Sequence, residues 1–199
     1  MEILILTLLA AGALFLNKRE QLRRIHLLAG ILSQFEVEKL METVADGYLR
    51  ALGEKDAERA QQVWNMLEQA EITLCGQVHA FVGATAALDA ESARFSTLPL
   101  GLPFATQWFP RATADLRAVL RVHGDGVERL VRNEGRLSQR DKAFMLTAEL
   151  LLLQHTCHWF CRSKPTANAR MMVRHRTPHA QLLASVSPET RTAYERLMG

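Results

Sequence analysis

The apolar run Ala143–Cys161 restricts the fold more than any other stretch of this sequence. It contains 19 residues, with Glu149 as its one acid and with no Lys or Arg. Ser138 and Asp141 precede it in a pattern close to a helix capping box. Pro165 follows it, and a proline cannot continue a helix. Because a helix that is apolar on nearly all sides lies inside a bundle or a membrane, the run predicts a central helix covered by the rest of the chain.

Amphipathic helices are predicted on both sides of this run. Apolar residues recur at helical spacing from Gln21 to Leu52, and that helix is expected to continue from the apolar N-terminus as one long rod. Pro110 is expected in the first turn of a later helix, which His123–Gly126 would kink or split. The predicted helices after the rod cover about 57–90, 110–134, 143–161, 167–176 and a final segment from Ser187. With no convincing strand, the predicted fold class is an all-α bundle of about five to six helices.

Three parts are predicted along the chain. Residues 1–20 form an apolar N-terminal segment, 21–164 a helical bundle, and 165–199 a basic C-terminal helical segment packed on the bundle. The loop at 96–103 carries two prolines and a glycine among leucines, so we expect it to pack on the bundle or on a membrane surface. Trp108 and Phe109 follow it and could lie at a membrane interface, where aromatic residues concentrate.

Residues 3–16 form an uncharged apolar run that has three interpretations. A cleaved secretory signal needs positive charge before the run, whereas only Glu2 precedes it. A buried core helix is the simplest alternative. A membrane anchor agrees with the bases that follow, although 14 residues rise only about 21 Å against a hydrocarbon core of about 30 Å, so that the bilayer would thin locally. We favour the membrane anchor.

The charges around this run predict an orientation. Glu2 lies before it and Lys18, Arg19, Arg23 and Arg24 lie after it, which places the body in the cytoplasm by the positive-inside rule. The three cysteines are an odd number and suit a reducing compartment rather than a secreted disulfide framework. The predicted location is therefore a bacterial inner membrane, with the body facing the cytoplasm.

The cysteines also suggest a metal site. Cys75 and His79 are four residues apart on one predicted helix, and Cys157 and Cys161 are four apart on another. Two helices that each offer such a pair could build a tetrahedral zinc site. The competing explanation is that free cysteine often packs as a small buried apolar residue. Haem ligation by a histidine of the central run is a related option, but such a histidine is more commonly a core residue. We expect no cofactor, with zinc or haem as the alternatives.

The basic C-terminal segment suggests an anionic partner. Arg170 and Arg174 are four residues apart, and Arg176 adjoins them, so these side chains could contact phosphates of lipids or nucleic acid. A solvated helix face is the favoured alternative. The formal net charge of +3 is too small to argue for nucleic acid by itself, and nucleic acid is an unlikely partner.

The sequence contains none of these catalytic motifs: a Gly-rich phosphate loop, H-E-x-x-H and G-x-S-x-G. We therefore expect a non-enzymatic, membrane-anchored helical adaptor or structural subunit of an inner-membrane complex. Its expected partners are proteins of that complex, the membrane through residues 3–16, and a second copy of the chain. The alternatives are a metal- or haem-binding redox or sensor protein, and a module that binds nucleic acid or anionic lipid through the basic segment.

Overall fold

Ten helices and one pair of short strands make up the fold. The computed structural model describes residues 1–199. The elements are α1 (Glu2–Leu32), α2 (Val37–Gly53), α3 (Ala57–Thr85), α4 (Ala90–Ala93), β1 (Arg94–Ser96), α5 (Ala105–Trp108), β2 (Thr113–Asp115), α6 (Leu116–Val131), α7 (Gln139–Cys161), α8 (Lys164–His175), α9 (His179–Ser185) and α10 (Pro188–Met198). The all-α prediction is confirmed, whereas the expected five to six helices were too few. Three helices have seven residues or fewer, and the predicted long rod is two helices, α1 and α2.

Helix α7 lies at the centre, as the apolar run predicted. It packs against α1, α2, α6, α8 and α9, and its buried residues continue into a single apolar core that extends from Leu28 of α1 to Tyr194 of α10. Ser138 caps the helix by accepting a hydrogen bond from the Asp141 backbone N–H. The chain turns at Ser163, and Pro165 then lies in the first turn of α8, where a missing N–H costs nothing.

The long rod is interrupted after α1. Ser33 and Gln34 both hydrogen-bond through their side chains to the carbonyl oxygen of Gly30, which satisfies a free acceptor at the end of the helix. The backbone N–H of Glu36 then donates to Gln77 Oε1 of α3 at 3.0 Å. The helix is broken between these contacts, and α2 packs against α3. The prediction of one continuous helix from the N-terminus to residue 52 was therefore wrong beyond Leu32.

A loop and the short strand β2 replace the predicted start of the 110–134 helix. β1 and β2 pair antiparallel, with Phe95 opposite Ala114, and Asp115 caps α6 by accepting from the Arg117 N–H at 2.9 Å. Pro110 therefore lies in the loop before β2. Phe95 packs edge-on against Trp159 and Phe160 of α7, which places the strand pair over one end of the central helix.

Helix α6 is continuous through His123–Gly126, contrary to the expected kink or split. A Cβ atom on Gly126 would lie 2.5 Å from Thr190 Oγ1 and 2.8 Å from Glu149 Oε2. Glycine is therefore required here because α7 and α10 approach the backbone of α6 closely, and this packing stabilises a helix that the glycines alone would weaken.

Candidate functional site

Residues 2–16 of α1 extend from the body, and no other element covers them. We call this segment the N-terminal arm. Every residue of the arm is exposed, and Ile3 and Leu14 expose 82% and 70% of their surface. The apolar side chains occupy all sides of the helix rather than one stripe. Contiguous exposed apolar surface is uncommon in soluble domains and is typical of interaction sites.

None of the helices combines the length and apolar character needed to cross a membrane. The apolar stretch of α1 ends at Leu16, and Asn17, Lys18 and Arg19 follow directly. The structure therefore gives no support to a single-pass anchor at residues 3–16. A buried core helix, the simplest alternative for this run, is also wrong because the whole arm is exposed.

A second apolar surface lies beside the base of the arm. The loop between β1 and β2 is held against α1, since Asn17 Nδ2 donates to the Gly101 carbonyl at 3.0 Å and the Phe104 N–H donates to Glu20 Oε2 at 3.3 Å. The loop exposes five large apolar side chains: Leu100, Leu102, Phe104, Trp108 and Phe109. We call the arm and this loop together the apolar end.

An arginine-lined pocket of about 480 Å³ lies where the apolar end meets the body. Arg19, Arg23 and Arg94 line it without forming an ion pair, while Arg24 is paired with Glu20 at 2.5 Å. Glu91 also lines the pocket, and Arg23 donates to Ser92 Oγ at 3.4 Å, so Arg19 and Arg94 are the guanidinium groups there that could attract an anion beside the apolar surface.

The four residues of the suggested metal site are not brought together. His79 faces α6, where its Nε2 lies 3.2 Å from Glu128 Oε2, whereas Cys157 and Cys161 line a groove between α1, α2, α7 and α8. No group of three or more His, Cys, Asp or Glu residues in the structure could hold a metal ion. Burial raises the pKa of Cys75 and of Cys157, and raises that of Cys161 to about 11. All three thiols are therefore protonated and weakly reactive at neutral pH.

Two arginines of the basic segment, Arg170 and Arg174, lie on α8, and the third, Arg176, follows its last residue. Arg170 and Arg174 line the same groove as Cys157 and Cys161, and Arg170 donates to His158 Nδ1 at 3.0 Å. Arg176 ends α8 in a left-handed conformation with φ of 51° and is exposed. The structure thus separates Arg176 from the two groove residues.

A buried polar network between α6, α7 and α10 was not anticipated from the sequence. Glu149 is fully buried and accepts from the Ser187 N–H at 3.2 Å and from its hydroxyl at 2.8 Å. Ser187 is also the cap of α10, so Glu149 fixes the start of the last helix. Burial raises the pKa of Glu149, and hydrogen bonds from Thr190 and Ser187 lower it in part. The sequence signal for this network was Glu149 itself, a lone acid in an otherwise apolar run.

Two histidines belong to the same interior. His123 Nε2 lies 2.9 Å from Thr156 Oγ1, and burial lowers the pKa of His123 to about 3. His155 Nε2 donates to Asn168 Oδ1 at 2.8 Å, and burial with the nearby His179 lowers its pKa to about 4. His155 is therefore a core residue with one partner, as expected for a histidine in this run. Both rings are fully buried, so the network can stabilise packing but is closed to a substrate.

Comparison with known proteins found no match: no family model, no curated protein and no solved structure is similar to this chain.

Proposed function

We propose that this protein is a non-enzymatic helical adaptor that attaches to an anionic membrane surface through its apolar end and presents its body to protein partners. The supporting observation is the arm, whose apolar residues are exposed on every side. A protein partner would have to surround such a helix, whereas the acyl region of a bilayer surrounds it without specific contacts. Attachment here means insertion of the arm and the adjoining loop into one face of the membrane.

The polar groups around the apolar end support the same proposal. Lys18 and Arg19 follow the arm directly, and Arg23 and Arg94 line the adjacent pocket. Bases at the edge of an inserted apolar segment attract anionic headgroups, with about 1 kcal/mol for each Lys or Arg near the surface. Trp108 lies at the same end and exposes 65% of its surface, and tryptophan is enriched at membrane interfaces. Because the cytoplasmic leaflet carries the anionic lipids, we place the attachment at the inner face of a cell membrane.

The test is co-sedimentation with vesicles of phosphatidylcholine, with or without phosphatidylglycerol. We expect the protein to bind, more strongly when phosphatidylglycerol is present. Leu8→Glu/Leu14→Glu should weaken binding by at least about 100-fold, because each buried leucine contributes about 1.5–3 kcal/mol. Both leucines are exposed, so the fold is unaffected. Met66→Glu, on an exposed face of α3, is the matched control. Absence of binding, or equal binding by the arm variant, would reject the proposal.

The arginines can be tested separately. Arg19→Gln/Arg23→Gln should reduce the preference for phosphatidylglycerol and its dependence on salt, while binding to neutral vesicles changes little. An unchanged preference would assign the electrostatic attraction to other bases.

A further inference from the structure

A long groove in the body remains unoccupied by any part of this chain. It has a volume of about 850 Å³ and lies between α1, α2, α7 and α8. Ile25 and Leu32 of α1, Met41 of α2, and Leu151 and Cys157 of α7 form an apolar floor. All five are partly exposed, so the floor is an apolar surface that the fold leaves incompletely covered.

The two walls of the groove carry opposite charges. Glu38, Glu42 and Asp46 follow each other at intervals of four residues along α2, so they share one face of that helix. Arg170 and Arg174 form the corresponding row on α8. The α2 side also carries Lys39, which is paired with Glu36. Neither row takes part in an ion pair of the chain, although Arg170 donates to His158, so both rows can pair with charges of an occupant.

The dimensions favour a helix as the occupant. The α7 residues that line the floor run from Thr147 to Cys161, which is about 21 Å along the helix axis. α2 and α8 both pack against α7 but form no extensive contact with each other. Because the two walls belong to separate neighbours of α7, an elongated occupant can lie along α7 between them. A single acyl chain would fill a strip of the floor and reach neither row of charges.

We propose that the groove binds one amphipathic helix of a protein partner. The apolar stripe of that helix lies on the floor, its basic flank faces Glu38, Glu42 and Asp46, and its acidic flank faces Arg170 and Arg174. This is the helix-in-groove mode of recognition, with the opposite charges of the walls selecting a helix that carries both signs. The inference rests on the adaptor part of the proposed function and gives the chemistry of the partner.

Three synthetic helical peptides with the same leucine stripe provide the test. One carries Lys on one flank and Glu on the other, the second carries Lys on both flanks, and the third carries Glu on both. A helix can enter the groove in either direction, so exchanging the two flanks is not a control, whereas equal signs on both flanks always place like charges against one wall. Fluorescence anisotropy with the full chain should show the mixed peptide binding about tenfold tighter than either of the others.

Charge reversal of one wall should change the order of preference. Arg170→Glu/Arg174→Glu makes both walls acidic, and we expect this variant to prefer the all-Lys peptide. Glu38→Lys/Glu42→Lys makes both walls basic and should prefer the all-Glu peptide. All four residues are exposed, and circular dichroism checks that each variant folds. Arg59→Glu/Arg140→Glu makes the same change of net charge as Arg170→Glu/Arg174→Glu, but on exposed residues outside the groove, and it should retain the preference for the mixed peptide.

The outcomes separate this inference from membrane attachment. Equal binding of the three peptides, binding of none, or an order unchanged by both wall reversals would overturn it. Displacement by lysophosphatidylcholine without any preference among peptides would overturn it in favour of a single-chain amphiphile. The assay contains no vesicles, and Leu8→Glu/Leu14→Glu should bind the mixed peptide like the unmodified chain. Peptide binding can therefore fail while vesicle binding succeeds, and the reverse.

Discussion

The buried histidine of α6 should make the protein less stable in mild acid. Burial lowers the pKa of His123 from its ordinary value of 6.5 to about 3. The ring Nε2 already lies 2.9 Å from Thr156 Oγ1, and Nδ1 has no hydrogen-bond partner in the chain. A protonated ring would therefore place an N–H against an interior that offers no acceptor. The native protein keeps His123 neutral, whereas the unfolded chain takes up a proton below pH 6.5.

The size of the effect follows from proton linkage. Because the unfolded state binds more protons between pH 6.5 and 3, the free energy of unfolding is highest above pH 6.5 and falls as the pH decreases through this range. At pH 5 the loss from His123 is about 2 kcal/mol relative to pH 8. This figure depends mainly on the unfolded pKa, since any native pKa well below 5 gives the same result. It is a large part of the stability of a typical domain.

Urea unfolding of His123→Gln at pH 8 and pH 5 measures this contribution. Gln stays neutral and can keep a hydrogen bond to Thr156, so the loss of stability between the two pH values should be about 2 kcal/mol smaller than in the unmodified chain. The matched control is His26→Gln, which makes the same substitution at an exposed position of α1. Identical pH dependence of His123→Gln and the unmodified chain would refute the argument that the buried ring stays neutral.

Two further predictions concern a close approach between helices and a buried ion pair. Gly126→Ala should lower the free energy of unfolding by roughly 1–3 kcal/mol, because the new Cβ would lie 2.5 Å from Thr190 Oγ1. At Gly76 no atom lies within 4 Å of the position of a Cβ, so Gly76→Ala should instead raise the free energy of unfolding by up to about 1 kcal/mol. Urea unfolding tests both, and equal signs would contradict the explanation by close approach. Lys142→Met should cost about 3 kcal/mol because it leaves the buried carboxylate of Glu71 without its cation. Adding Glu71→Gln should recover much of this loss, and no recovery would show that the ion pair is not its cause.

The helix starts that could be predicted from the sequence are those with local caps. Asp56 accepts from the backbone N–H groups of Glu58 and Arg59 at the start of α3, and Ser187 caps α10 just before Pro188. In both cases the groups that define the helix start lie within four residues of each other. Pro110 was a weaker signal, because Asp115 offers a competing cap and the intervening residues pair with β1. That pairing joins residues about twenty positions apart, which no local pattern reveals.

The candidate sites depend even more on tertiary contacts that no local sequence pattern reveals. The sequence indicated that residues 3–16 are apolar, but only the structure shows that they are exposed and that the loop carrying Trp108 adjoins their base. Both cysteine pairs have the helical spacing of metal ligands, yet helix spacing does not determine which face turns toward which neighbour. Cys75 and Cys157 belong to different surroundings because α3 packs on α2 and α6, whereas Cys157 turns toward the groove.

The arginines of α8 illustrate why a charge pattern acquires a function only through tertiary packing. As a sequence feature, Arg170, Arg174 and Arg176 form one basic cluster suited to any anionic surface. In the fold, Arg170 and Arg174 stand across an apolar floor from an acidic row of α2, more than a hundred residues earlier in the chain. A uniformly anionic surface would attract one wall and repel the other. Two opposed rows instead favour an occupant with both signs of charge, and this preference separates a partner helix from a lipid surface or a nucleic acid as the occupant of the groove.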